Sequence, residues 1–222
     1  MSIWGDPVLL GGSGGGGGST DPRTLLASWD FTGNSPLVDS VGGKTLTNYN
    51  SAVAFSSAGA FFSANSNKAQ GLGQNQSLSI SLTDLLGSGV SIAGCDIEVD
   101  VGSWERYAKG TSNAVRFIMV SSTLGYGFAY RQTSSTSTSG WSFWPGAWSS
   151  QYVISSAIEY STVKLSIAAD ATESDTVYIN NQKCVESTGA SISTVATEVA
   201  IGQSNATCIG GIYLTGLRVY RR

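Results

Sequence analysis

Cys95-Asp96-Ile97-Glu98-Val99-Asp100-Val101, CDIEVDV, sets an apolar residue against an acidic one at almost every step. Successive residues of an extended chain point to opposite faces, so Ile97, Val99 and Val101 fall on one side and Asp96, Glu98 and Asp100 on the other. The segment is read as a strand with one face in a core. The same period recurs elsewhere. Leu78, Ile80 and Leu82 alternate with Ser77, Ser79 and Ser81, and Val163, Leu165 and Ile167 alternate with Thr162, Lys164 and Ser166. Val115, Phe117 and Met119 are expected to share one phase, as are Tyr126, Phe128 and Tyr130. Clusters of Gly, Ser, Asn and Asp separate these runs. No segment carries a capped 3.6-residue stripe, and Thr83-Asp84-Leu85-Leu86 is expected to form at most one helical turn. The predicted class is all-β, a two-sheet antiparallel β-sandwich.

The 222 residues suffice for one well-buried domain with a tail. Charged residues are only 12% of the chain, against about 25% in an average protein, so hydroxyls and amides must carry its solubility. A formal net charge of −3 without a Lys/Arg cluster gives no footprint for nucleic acid. The chain contains 0 histidines, which removes the commonest general base, the commonest metal ligand and every His-dependent triad. Cys95, Cys184 and Cys208 are too widely spaced for a zinc site and read as buried thiols. A Cys184–Cys208 disulfide stays open for maturation in an oxidising place.

Three segments are expected. Residues 1–10, MSIWGDPVLL, offer Ile3, Trp4, Val8, Leu9 and Leu10, too few to fold alone but enough to dock into a groove on another protein. A disordered end or an expression-derived linker is the alternative. The apolar run is too short for a secretory signal or a membrane span. Residues 11–23 open with GGSGGGGGS, which behaves as a flexible tether. Residues 24–222 form the sandwich.

Motifs in this last segment resemble the laminin G-like, concanavalin A-like jelly-roll superfamily. LLASWDFTGN at 25–34, followed by VDSVGG at 38–43, is similar to that family's first strand and its D-S-x-G-N turn. DTVYINNQ at 175–182 resembles its L-Y-V-N-G hairpin, VAIGQ at 199–203 its I-G strand, and LTGLRVY at 214–220 its closing I-D-x-V-R-I-Y strand. One position departs, because Ile212 stands where the family places a glycine. The resemblance implies two curved antiparallel sheets with the chain ends close together. Two further expectations come from the residues themselves. Asn180-Asn181 suits a two-residue turn with positive φ. Ile212 and Leu214 share one phase while Leu217 and Val219 share the other, so a bulge is expected near Thr215-Gly216.

Some members of the superfamily are glycosidases with an E-x-D-x-x-E strand, and Glu98 and Asp100 approach that pattern. Ser103 occupies the place of the third acid, and Glu105 is out of phase unless Gly102 adds a bulge. The favoured reading is an outward face that happens to be acidic. Ca²⁺ could use the same oxygens, but no dedicated calcium loop is visible, and no cofactor is expected. Binding is the better-supported class. WSFWPGAW, residues 141–148, follows a featureless Ser/Thr run, and Pro145-Gly146 signals a turn, so Trp141, Trp144 and Trp148 are assigned to a loop. Indole offers a flat apolar face and an N–H donor, the chemistry that sugars need. Trp141 and Phe143 are expected to cover the core in part, leaving Trp144 or Trp148 as a platform for a surface glycan, with Tyr107, Arg131 and Glu105 as neighbours. A short apolar head, a tether and a sandwich together resemble the layout of a phage virion appendage, docked through residues 1–10 on a capsid or tail protein. The expected location is the virion, with a purely structural decoration protein as the alternative. No heptad or symmetry device demands a homo-oligomer, though phage fibres are frequently trimers.

Overall fold

The computed structural model describes residues 21–62, 77–105, 113–120, 127–132, 140–144, 160–187, 192–202 and 211–222. Within them the chain forms β1 (Thr24–Asp30), β2 (Thr47–Asn48), β3 (Ala54–Ser56), β4 (Gly59–Phe62), β5 (Ser77–Ser81), the short helix α1 (Leu82–Leu86) and β6 (Cys95–Glu105). There follow β7 (Asn113–Met119), β8 (Gly127–Gln132), β9 (Gly140–Trp144), β10 (Thr162–Ser166), β11 (Thr176–Ile179), β12 (Gln182–Glu186), β13 (Glu198–Gly202) and β14 (Gly211–Arg221).

The described strands pair into two antiparallel sheets. One has eight strands in the order β12-β11-β10-β6-β14-β4-β3, with β1 also on β14; the other has six, in the order β2-β5-β13-β7-β8-β9. Strand β14 is long enough to take β4 along its first half and β1 along its second, and Thr24 pairs with Arg221. The first and last strands of the domain therefore lie side by side. No helix among the described residues is long and apolar enough to cross a membrane.

The period-2 apolar residues meet in one core. Ile97 and Val99 on β6, Val163 and Leu165 on β10, Leu217 and Val219 on β14, and Val199 and Ile201 on β13 are all fully buried. Each such side chain contributes about 1.5–3 kcal/mol by leaving water. Trp29 and Phe31 fill the space beside them, and the Trp29 indole Nε1 donates to the Lys44 carbonyl at 3.2 Å.

Local chemistry explains several turns. Asn180 and Asn181 sit at φ 49° and 65° between the paired residues Ile179 and Gln182, so the expected two-residue hairpin is present. Helix α1 is a single turn, capped by Ser81 Oγ accepting from the Asp84 N–H at 3.0 Å. In the VDSVGG turn the buried Asp39 carboxylate accepts from four backbone N–H groups: Ser28 at 2.7 Å, Val41 at 2.9 Å, Gly42 at 2.7 Å and Lys44 at 3.3 Å. Burial alone would push this carboxyl up, but the four donors more than offset burial and hold it below its ordinary range.

Register slips mark where alternation changes phase. Between β6 and β14 the slip after Ile212 leaves an extra residue on β6, and the slip after Leu214 leaves one on β14. The expected bulge at Thr215-Gly216 is thus one of a compensating pair. Phase is corrected in β7. There the buried positions are Ile118 and Val120, not the phase of Phe117 and Met119, because the register with β8 slips between Arg116 and Ile118.

Candidate functional site

The acidic row of β6 faces away from the core, and the neighbouring strands supply its partners by register. Lys164 and Arg218 flank Glu98, Ser166 and Tyr220 flank Asp96, and Thr162 and Gly216 flank Asp100. Arg218 grips Asp100 with both terminal nitrogens, at 2.6 and 2.7 Å, while its Nε lies 3.4 Å from Glu98 Oε2. Arg23 Nη1 donates to Asp96 Oδ2 and Glu98 Oε1, each at 2.8 Å, and its guanidinium stacks 4.1 Å from the centre of the Tyr220 ring. Arg222 Nε reaches Asp96 Oδ1 at 3.3 Å. Hydroxyls complete the shell, with Ser166 Oγ donating to Asp96 and Thr162 Oγ1 to Asp100, both at 2.7 Å.

Asp96 and Glu98 are consequently only 2% and 8% exposed. The acidic face is outward, as expected, but the arginines cover it. Buried carboxylates persist because their charge and lone pairs are matched. Asp21 and Arg23 belong to the segment assigned as tether, and both are engaged. Hydrogen bonding to Arg23 lowers the Asp21 carboxyl to about 2. Asp21, Asp96 and Glu98 raise the Arg23 guanidinium against the opposing effect of burial. Burial also opposes the charge on Arg218, and Asp100 and Glu98 more than restore it.

This arrangement answers the glycosidase pattern. The bulge that Glu105 would require is present, since the β6 register slips between Val101 and Trp104. A retaining hydrolase nevertheless needs one free carboxylate nucleophile and one protonated acid. Here both oxygens of Asp100 and both of Glu98 accept from guanidinium groups, which makes ion pairs rather than an acid–base couple. Among the described residues no group of three His, Cys, Asp or Glu is arranged to hold a metal ion.

Where the row reaches Ser103, the paired bulges open a cleft of about 470 Å³. Asp100, Ser103, Thr162, Thr215, Ser57 and Tyr160 line it. Gly102 keeps the floor low, because a Cβ there would stand 3.2 Å from Thr215 Cγ2 and 3.3 Å from the Tyr213 carbonyl oxygen. Tyr160 is 80% exposed and sits at φ 57°, a conformation that costs a non-glycine residue about 1–2 kcal/mol. The Tyr160 N–H donates to the Gly102 carbonyl at 3.0 Å, and the Val101 N–H to the Ser161 carbonyl at 2.8 Å. Asn180 accepts from the Thr162 N–H at 3.0 Å and ties the hairpin to the same wall. The result is a shallow, braced hollow that presents one exposed aromatic ring, one carboxylate and several hydroxyls. Sequence reasoning missed Tyr160, since it lies just before the alternating run and a positive-φ tyrosine leaves no periodic signal.

The aromatic cluster is placed differently from expectation. Trp141 and Trp144 lie in β9 at the edge of the six-stranded sheet, not in a loop. Trp141 pairs with Tyr130, Phe143 with Phe128 and Trp144 with Gly127, and such aromatic ladders favour strand over coil. The featureless Ser/Thr run ends before Gly140, where pairing begins. Phe128 also pairs with the buried Ile118, so Tyr130, Trp141 and Phe143 share that phase. Arg131 and Trp144 share the opposite phase, with Ala129 and Ser142 paired between them. Trp148, Tyr107, Ile3, Trp4, Val8, Leu9, Leu10 and Cys208 lie outside the described residues. Cys95 is a buried free thiol, as expected, and Cys184 is free and half-buried; burial raises both thiols.

No protein-family model and no curated protein matches the chain. Several solved structures are similar in shape. The ligand-binding domain of botulinum neurotoxin serotype D, in complex with N-acetylneuraminic acid, superposes with a TM-score of 0.54 at 9% identity, covering 90% of this chain and 48% of that one. The receptor-binding domain of botulinum neurotoxin type G gives 0.53 at 12% identity, with the same two coverages of 90% and 48%. The carbohydrate recognition domain of Emp46p, in its metal-free form, gives 0.47 at 13% identity over 86% of this chain and 97% of that one. The chain spans about half the length of the neurotoxin domains it matches. At these identities the neurotoxin likenesses establish architecture: the chain adopts the two-sheet antiparallel β-sandwich fold read from its sequence.

Proposed function

We propose that the chain is a non-catalytic glycan-binding module, displayed on a phage particle and attached to a capsid or tail protein through residues 1–10. The cleft beside Asp100 carries the assignment. An exposed ring held in a strained backbone conformation, above a hollow of fixed hydroxyls and a carboxylate, provides both things a sugar needs: a flat face for its C–H groups and partners for its O–H groups. Trp144 and Arg131, which share one phase of the β8–β9 register, are the candidates for a second contact in this reading. The neurotoxin serotype D domain was solved with N-acetylneuraminic acid, and the fold it shares with this chain is compatible with sugar recognition.

Placement of the two ends also supports display. Arg23 enters the domain at Asp96 and Glu98, whereas the cleft lies further along the same strand, from Asp100 to Ser103, beginning about 7 Å beyond Glu98 at ~3.3 Å per residue. A particle holding the N-terminal segment would then leave the cleft clear of the anchoring point. Many copies would turn weak single contacts into firm attachment.

The test compares particles carrying the wild-type chain with particles carrying Tyr160→Ala or Trp144→Ala, scored for incorporation and for retention on host surface glycans. The expected result is unchanged incorporation with weakened retention, and lost incorporation when residues 1–19 are deleted. Unchanged retention by both aromatic variants would make the protein a structural decoration subunit instead.

A further inference from the structure

We propose that the Asp100 cleft takes a neutral hexose unit and rejects its carboxylated counterpart, an inference that rests on the glycan-binding reading. Asp100 is the one charged side chain lining the cleft among the described residues. The cations of the same sheet face are already engaged. Arg218 is turned to Asp100 and Glu98, Arg23 to Asp21, Asp96 and Glu98, Arg222 to Asp96 and Glu173, and Lys164 lies 4.3 Å from the centre of the Tyr178 ring. A sugar carboxylate entering the hollow would meet the Asp100 carboxylate and, among the described residues, find no guanidinium left to pair with it, since that of Arg218 is spent on Asp100 itself.

A neutral sugar meets the opposite situation. Asp100 Oδ2 accepts from Arg218 Nη1 and retains lone-pair capacity for a sugar O–H. Thr162 gives its hydroxyl proton to Asp100 Oδ1, so its oxygen is left as an acceptor aimed by that bond. Ser57 and Ser103 add hydroxyls that can donate or accept, and Tyr160 supplies the ring. Among the described residues every polar partner here suits hydroxyl groups, and none brings an uncommitted positive charge to an anion.

The experiment titrates the full chain with matched pairs of methyl hexosides and methyl hexuronides in the gluco, galacto and manno series. These pairs differ only in bearing CH₂OH or carboxylate at C6. Binding is followed by amide chemical shifts. At low salt the best hexoside is expected to shift the Ser103, Tyr160 and Thr162 amides and to bind at least about ten-fold tighter than its uronide, and the gap is expected to narrow as salt rises. Asp100→Asn should close the gap. Because that change also loosens the Arg218 contact, Tyr160→Ala serves as the second variant; its ring is exposed, and its loss should weaken the hexoside several-fold without moving the melting temperature. Uronides binding as tightly as hexosides, or hexosides shifting amides elsewhere, would overturn the inference and leave glycan binding intact. Absence of binding by every pair would overturn both.

Discussion

Asp39→Ala should be among the most damaging single substitutions outside the apolar core. The carboxylate is 3% exposed and accepts from four backbone N–H groups that hold β1 to the VDSVGG turn. A hydrogen bond to a charged group contributes about 1.5–3 kcal/mol net, but such terms do not add, and water can reach part of this turn once the carboxylate is gone. Val41 and Gly42 are exposed, whereas Ser28 is half-buried against β14. A total cost of about 3–5 kcal/mol follows, which in a domain of this size lowers the melting temperature by roughly 10 °C. The same logic sets the pH dependence. Because the folded carboxyl is held below its unfolded value, its contribution is complete above the unfolded value of about 4 and disappears as pH falls through the folded one. Urea denaturation of wild type and Asp39→Ala at pH 7 and at pH 2.5 is the direct assay. The stability gap should be largest at pH 7 and shrink at pH 2.5, and taking the difference between variants cancels the other carboxylates. A gap under about 1 kcal/mol at pH 7, or one equal at both pH values, would refute the reasoning.

Three further outcomes can be checked by the same denaturation measurement or by proteolysis. Gly59→Ala should cost about 3 kcal/mol or more, because φ is 115° and the new Cβ would stand 2.3 Å from the Leu214 carbonyl oxygen on the paired strand. Asn181→Gly should stabilise the domain by about 0.5 kcal/mol, since the position holds φ 65° and its side chain is exposed, whereas Asn181→Val should destabilise it by about 1–2 kcal/mol. Arg23→Ala should cost only about 1–2 kcal/mol, because Arg222 still reaches Asp96 and Arg218 still reaches Glu98, yet it should speed proteolytic cleavage around residues 21–24.

Alternation made the sandwich legible because it is local: each residue declares its face by parity alone. The β5, β6 and β10 cores, the Asn180-Asn181 turn and the bulge at Thr215-Gly216 all follow from neighbours within a few positions. Parity fails where strands slip. At β7 the extra residue after Arg116 hands the core face to Ile118 and Val120, and nothing in the apolar pattern marks the place. Pro145-Gly146 draws WSFW into a loop reading, because turn signals are stronger than a four-residue aromatic alternation; the partners that make it a strand, Phe128 and Tyr130, lie 15 and 11 residues back, across the Ser/Thr run. The cover over the acidic row was equally illegible. Arg23 and Asp96 are 73 positions apart, and Arg218 and Asp100 are 118 apart, so only the register of β14 and the path of β1 bring them together.

The two compensating bulges join fold to site. Strand β14 must bury Ile212 and Leu214 in one phase and Leu217 and Val219 in the other, and an added residue at Thr215 lets it do so. An unmatched extra residue would shift every later pair with β6 and turn Arg218 away from Glu98. The slip in β6 near Gly102 restores the register, so Arg218 still faces the acids it neutralises. Two bulges at one level leave the sheet surface without regular pleating there, and Gly102 with its missing Cβ becomes the floor of the cleft. The hollow is therefore a by-product of a packing requirement in the core. Filling it by Gly102→Val should damage the β6–β14 pairing, lowering the melting temperature, as well as the proposed glycan contact, whereas Ser103→Ala should alter only the proposed contact in a hexoside titration.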